Sequence, residues 1–138
     1  MGPMSEKVDD LRVYDVLRAR LEHEDGLIVH RLSWLMASQS FLFTAYAIAL
    51  NGPPAAARLL DLMPLVGILS ATLVFGGILA ALKAMRWIGA TFEERGVTAT
   101  ALGLPALLTP APIRRFGLAA PVLLPPLFIL AWAWLAWR

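Results

Sequence analysis

Two histidines and three carboxylates share one short stretch of the chain, where together they could hold a metal ion. They are Glu22, His23, Glu24, Asp25 and His30. Imidazole and carboxylate groups are both ligands for transition metals. His23 and His30 are two turns apart, however, which is about 10 Å along a helix, so one helix cannot bring both rings to one ion. We therefore interpret this stretch as the solvated charge of a helix and predict no metal site.

No other part of the sequence carries an arrangement of residues typical of catalysis. The chain contains no cysteine, which excludes thiol catalysis and disulfides. It also lacks a glycine-rich phosphate loop, a nucleophile elbow and the HExxH pattern of metalloproteases. We therefore expect no catalytic residues, no cofactor and no enzymatic activity.

The composition is that of a membrane protein. Hydrophobic residues make up 59% of the 138 residues, and charged residues only 16%. A soluble domain of this size cannot bury so much apolar surface, because small folds bury only part of their chain. Apolar runs cover residues 32–50, 62–82 and about 116–137. Each run is long enough to cross the hydrocarbon core as a helix, so we predict an all-α fold with three transmembrane helices.

We predict that the first span continues from an N-terminal helix. Apolar residues recur at helical spacing from Ser5 to about Val29, charged residues fill the other faces, and no proline interrupts residues 5–50. The prediction is an amphipathic cytoplasmic helix over residues 5–31, reaching about two to four turns beyond the span, followed by a membrane domain over residues 32–138. Residues 1–4 resemble a remnant of cloning followed by the native start.

Prolines indicate where the helices should be interrupted. Residues 51–54, Asn-Gly-Pro-Pro, are expected to end the first helix. Pro64 is expected in the first turn of the second span, where proline is tolerated. Three prolines of the third run predict a bend or an irregular first half. They are Pro121, Pro125 and Pro126. For residues 97–115 the sequence leaves open whether they lie along the membrane surface or re-enter it.

A stripe of small or polar residues follows one face of the predicted first helix at steps of three and four. This small-residue stripe consists of His30, Ser33, Ala37, Ser40, Thr44, Ala47 and Asn51. Helices associate in lipid through small residues and shared hydrogen bonds, so we expect the stripe to avoid lipid. It is either a packing surface, against the chain's own second span or against a second copy, or the lining of a pore with His30 at its mouth. Gln39 lies mid-span but off the stripe, and we expect it to bond to a neighbouring helix.

The second span carries small residues at every fourth position. This second row is Thr72, Gly76, Ala80 and Ala84, with Gly77 and Ala81 as an adjacent pair. The pattern is typical of close helix contact, and we interpret it as a packing surface. Acidic and basic residues are absent from all three runs. Their absence argues against an ion-coupled carrier but not against a passive pore.

The basic residues predict the orientation in the membrane. Five precede the first span, one lies in the first loop, five lie in the second loop and one ends the chain. By the positive-inside rule the N-terminus is cytoplasmic and Arg138 lies outside. Trp132, Trp134 and Trp137 are interpreted as an interfacial aromatic belt. The net charge of +2 is small and the basic residues are not clustered with aromatics, so we expect no nucleic-acid partner.

The segment RARLEHEDGLIVHRLSWLMASQSFLFTAYAI, in the first third of the chain, resembles small bacterial membrane proteins of unknown function. The resemblance implies a bacterial inner membrane and no particular activity. Three spans are too few to enclose a path in one monomer. We therefore expect a homo-oligomeric inner-membrane protein that forms a passive ion or small-solute pore. The alternative is an accessory or scaffold subunit that docks a protein partner through its cytoplasmic helix.

Overall fold

The computed structural model describes residues 3–94, 104 and 116–137. Its elements are α1 (Pro3–Leu50), a short 3₁₀ helix (Pro54–Ala56), α2 (Ala57–Glu94) and α3 (Ala119–Trp137). This part of the chain contains no strand, and its three long helices are each apolar enough to span a membrane. The predicted all-α fold with three such helices is therefore confirmed. The two alternatives for residues 97–115 lie outside the described residues, apart from Leu104.

α1 is one uninterrupted helix. It has no break between Glu22 and Leu32, as the absence of proline predicts. About eight turns of α1 precede Leu32, and how many of them reach beyond the membrane stays a prediction. Gly26 lies in its interior, where an added Cβ would meet no atom within 4 Å. The amphipathic character of this segment and its cytoplasmic location stay predictions.

α1 ends where the sequence predicts, at Leu50. The backbone N–H groups of Asn51 and Gly52 donate to carbonyl oxygens three residues earlier, at 3.2 and 3.1 Å, which tightens the last turn. Pro53 then adopts extended backbone, with φ −65° and ψ 161°. A proline has no N–H to continue the helical ladder, so the chain leaves α1 here and turns back towards α2.

The prolines of α2 and α3 do not interrupt these helices. Pro64 lies inside α2, which begins at Ala57, so its expected place in the first turn is wrong. Pro125 and Pro126 lie inside α3, which is helical from Ala119 to Trp137, so the expected irregular first half is wrong, while the alternative of a bend stays a prediction. Each proline removes one backbone hydrogen bond. Within a membrane bundle, neighbouring helices and small backbone adjustments satisfy the freed groups.

α1 and α2 run antiparallel, with α2 as the central helix. Gln39 of α1 contacts Gly67 of α2, whereas Arg31, earlier in α1, contacts Gly77, later in α2. α2 lies against both other helices, while α1 and α3 meet at few residues.

The apolar residues of α1 that pack on the bundle recur at intervals of seven residues or a multiple of seven. Its buried apolar residues are Tyr14, Leu21, Ile28, Leu35 and Ala49. A seven-residue repeat keeps one face of a helix against a partner that coils around it. The facing helix α2 buries Ala71, Ile78, Ala81 and Ile88. Because two of these four are alanines, the backbones of α1 and α2 can approach closely.

Candidate functional site

The middle of the bundle holds a buried polar cluster that draws on all three helices. At its centre is Gln39, which is 0% exposed. The amide nitrogen of Gln39 donates to the carbonyl oxygen of Gly67 at 3.2 Å and to the hydroxyl oxygen of Ser70 at 3.0 Å. The Ser70 hydroxyl in turn donates to the Gly67 carbonyl at 3.0 Å. The prediction that Gln39 bonds to a neighbouring helix is confirmed.

Trp132 brings α3 into this cluster. Its indole N–H donates to the side-chain oxygen of Gln39, and the residue is fully buried. Phe43 stacks on the indole, with ring centroids 4.3 Å apart and ring planes 8° apart. Tyr46 meets the indole edge-on at 5.6 Å. Gln39, Phe43 and Tyr46 follow one another at steps of four and three, so a single face of α1 holds the indole.

The assignment of Trp132 to an aromatic belt is wrong. A belt tryptophan lies at the level of the lipid headgroups. Trp132 instead directs its N–H to Gln39 inside the bundle, where the amide replaces the polar surroundings that an indole N–H needs. Trp134 and Trp137 are 60% and 91% exposed, and for them the belt stays a prediction.

Gly67 provides the space in which the indole crosses α2. A Cβ added at Gly67 would overlap the ring of Trp132, so no larger residue fits without movement. The sequence did not predict Gly67, Ser70 or Trp132 as partners of Gln39. A polar residue in the middle of an apolar run was the one signal available. That signal shows that a partner is needed and does not show which helix provides it.

The cluster holds the three helices together and contains no group that titrates near neutral pH. Within the described residues, no buried side-chain nitrogen or oxygen lacks a hydrogen-bond partner. Hydrogen bonds between membrane helices contribute about 0.6 kcal/mol on average. Several of them around one amide fix the rotation of each helix about its axis. We therefore assign the cluster a structural role.

The small-residue stripe lies on the outer side of α1. All of its residues, His30, Ser33, Ala37, Ser40, Thr44, Ala47 and Asn51, are exposed. The alternative that the stripe packs against the chain's own second span is therefore wrong. The face that packs on the bundle is instead the row of Tyr14, Leu21, Ile28 and Leu35. Stripe residues such as His30 and Ala37 follow a residue of this row by two positions, which is a rotation of about 200° around the helix axis. Contact with a second copy and the lining of a pore both stay predictions.

Four polar side chains of the stripe donate hydrogen bonds to backbone carbonyls of α1. The hydroxyls of Ser33, Ser40 and Thr44 donate to backbone carbonyls four residues earlier, at 2.8 to 3.0 Å. The Asn51 amide donates to the carbonyl of Ala47 at 3.1 Å. The three hydroxyl hydrogens therefore need no outside acceptor, while each hydroxyl oxygen can still accept a hydrogen bond.

The second row also faces away from the bundle. Thr72, Gly76 and Ala80 are exposed and Ala84 is half-buried. The adjacent pair is the one that turns inward, since Ala81 is buried and Gly77 contacts Arg31. The second row therefore lies outside the interface between α1 and α2 of the same chain. Its packing against another molecule stays a prediction.

Arg31 lies against the interior of the second apolar run. Its Nη1 donates to the carbonyl oxygen of Gly77 at 2.8 Å. The side chain rests on the glycine, where an added Cβ would be 3.2 Å from Nε and 3.3 Å from Cδ. In the sequence Arg31 precedes the first run, so no charge was expected beside a span. Only the pairing of α1 with α2 brings the guanidinium there.

Of the candidate metal ligands, Glu24 is half-buried and the others are exposed on α1. His23 and His30 are both exposed, and no group of three potential metal ligands occurs in the described part of the chain. Arg18 and Glu22 form an ion pair across one turn, with Nε to Oε1 at 3.0 Å. This hydrogen bond, together with the charge of Glu22, raises the pKa of the Arg18 guanidinium. Solvent screens such an exposed pair, so it adds little stability.

Comparison of the chain with protein-family models, with curated proteins and with solved structures finds no match in any of the three. The chain's own geometry therefore carries the functional inference.

Proposed function

We propose that this chain is an integral membrane protein that assembles with copies of itself through the small-residue stripe of α1. Three helices that are long and apolar enough to span a membrane are compatible with the membrane location. The exposure of the stripe supports self-assembly, because close approach along small residues is how membrane helices gain contact. Elsewhere α1 exposes bulky apolar residues such as Trp34 and Phe41, each 78% exposed, and such side chains are typical of surfaces that contact lipid.

The second row on α2 supports a ring of copies rather than a closed pair. Thr72, Gly76 and Ala80 are exposed, and an added Cβ at Gly76 would meet no atom within 4 Å of its own chain. If the stripe of one copy packs on the second row of the next, the contact joins two different surfaces. Such heterologous contacts close into rings when the rotation between copies allows it.

The second function that we propose is a passive pore for ions or small solutes, in which copies assemble through other surfaces and the stripe faces the central path. Trp132 and Gln39 are fully buried in the middle of the chain's own bundle, so a path would run between copies. The observation that favours a pore is the line of exposed polar residues from His30 to Asn51, which follows the whole first run. The hydroxyl oxygen of Ser40 can still accept a hydrogen bond from water.

An accessory or scaffold subunit is the alternative. The long part of α1 before Leu32 exposes charges of both signs, among them Arg18, Glu22 and Asp25, which a protein partner could match. For either function we propose a bacterial inner membrane with the N-terminus in the cytoplasm. The distribution of basic residues and the resemblance of the first third of the chain support that location.

Leucine substitutions on the stripe test the assembly. Ala37→Leu and Ser40→Leu should shift the protein from oligomer to monomer, because added volume at a packed interface costs on the order of 1–3 kcal/mol per site. Ala133→Leu, at an exposed position of α3, is the matched control. Native mass spectrometry, or subunit counting in bilayers, measures the oligomer. Unchanged assembly in both stripe variants would exclude the stripe as the interface.

Introduced cysteines test the pore, since the chain has none of its own. In intact liposomes, Ser40→Cys should react with a water-soluble thiol reagent, and the reaction should block ion flux. Leu130→Cys, at a position that is 66% exposed on the apolar α3, should stay unreactive. Liposomes without flux together with an unreactive Ser40→Cys would contradict the pore and leave the accessory subunit as the proposal.

A further inference from the structure

Arg31 is a charged residue that helix pairing brings beside the apolar part of the bundle. Its guanidinium contacts Gly77, whereas the second run ends only at Lys83, six residues and about 9 Å further along α2. A cation at such a depth is costly unless it reaches a polar partner, and residues of this kind in membrane proteins commonly mark a site of function. The role of Arg31 therefore depends on the partners of its guanidinium.

The described residues do not neutralise this charge. The Gly77 carbonyl accepts from one of the five N–H donors of a guanidinium. No carboxylate forms an ion pair with Arg31 within the described part of the chain. The nearest preceding acid, Asp25, is about 9 Å away along α1. A carbonyl offers a partial charge alone, so among the described residues the guanidinium has no anionic partner.

Arg31 is held against α2 and is still partly exposed. Because Gly77 has no side chain, the stem of Arg31 lies directly on the backbone of α2. Arg31 is half-buried, so part of it remains open to the surroundings of the bundle. The exposed residues His30 and Lys83 lie towards the same end of the α1–α2 pair. Neither carries a carboxylate that could form an ion pair with Arg31. An anion arriving from outside would meet positive charge and a preorganised donor.

We infer that Arg31 binds the phosphate group of an anionic phospholipid at the membrane boundary, with Gly77 holding the guanidinium in place. The planar fork of arginine matches two phosphate oxygens at once. A lipid phosphate is the anion nearest to this depth, because arginine side chains extend towards the headgroups and the bilayer thins around them. Free inorganic phosphate has the same chemistry, but it would have to leave water to reach the site.

Native mass spectrometry of the full-length protein in detergent tests this site, with phosphatidylglycerol and phosphatidylcholine as the probes. The parent protein should retain phosphatidylglycerol in preference. Arg31→Gln should lower that preference roughly tenfold, as expected for the loss of a charge-assisted hydrogen bond. Arg31→Lys should keep part of it, because lysine supplies the charge without the fork. Circular dichroism checks that each variant keeps its helices.

Two control variants separate a built site from general attraction. Lys83→Gln removes an exposed charge at the same end of the bundle and should change the preference little. Gly77→Ala keeps every charge but places a Cβ 3.2 Å from Nε, and it should weaken retention. Equal losses in Lys83→Gln and Arg31→Gln would overturn the inference, as would a parent protein without lipid preference. If an equal concentration of inorganic phosphate displaced phosphatidylglycerol, the bound anion would be free phosphate rather than a lipid headgroup, and the inference would be overturned.

Discussion

The indole nitrogen of Trp132 donates a hydrogen bond to the side-chain oxygen of Gln39, across 93 residues of sequence. The same glutamine donates to Gly67 and Ser70, so one amide joins all three helices. In the hydrocarbon region no water is present to replace a lost partner. Substitutions at this pair should therefore loosen α1, α2 and α3 together.

We expect Gln39→Leu and Trp132→Phe each to lower the free energy of unfolding by about 1–3 kcal/mol, because each leaves a buried polar group without its partner. The double variant removes both groups, so its loss should fall short of the sum by at least about 0.5 kcal/mol. Reversible unfolding in mixed micelles, followed by circular dichroism, measures these energies. Strictly additive losses would show that the pair is not coupled.

Substitution by alanine should change the free energy of unfolding in opposite directions at two glycines of α2. Gly67→Ala should lower the free energy of unfolding by about 1–3 kcal/mol, because its Cβ overlaps the indole of Trp132. Gly76→Ala should raise it by up to about 1 kcal/mol, because the added methyl meets no atom of the chain and alanine favours helix. The same unfolding measurement serves for both. A loss of equal size at Gly76 would contradict the packing described for Gly67.

Gly26→Ala should stabilise the long N-terminal part of α1. The site is open, and alanine is better than glycine in a helix interior by about 1 kcal/mol. Hydrogen–deuterium exchange should therefore slow for the backbone amides within one turn of residue 26. Faster exchange there would indicate that the helix is not continuous at this point in solution.

Reporter fusions test the predicted orientation. With the N-terminus in the cytoplasm, a fusion after Asn51 and one after Arg138 should both report the outer side. Alkaline phosphatase is active outside and green fluorescent protein inside, so the two reporters check each other. A cytoplasmic signal at Arg138 would contradict three spans with this orientation.

Much of the fold follows from local properties of the chain. The apolar runs predicted the three long helices, and the residues after Leu50 predicted the end of α1, because helix length and termination depend on nearby side chains and backbone N–H groups. Pro64, Pro125 and Pro126 were harder to interpret. Whether a proline interrupts a helix depends on whether neighbouring helices satisfy the freed carbonyl, which local sequence does not describe.

Two faces of α1 have helical spacing, and the tertiary structure alone decided which one turns inward. The small-residue stripe and the row of Tyr14, Leu21, Ile28 and Leu35 are both regular, so periodicity cannot choose between them. The choice depends on the surface that α2 presents and on bonds such as that from Gln39 to Gly67, whose residues are 28 apart. The inward place of Trp132 and the contact of Arg31 with Gly77 have the same origin. Each requires two helices to be set side by side in one register, and that register is a property of the packed bundle rather than of any one segment.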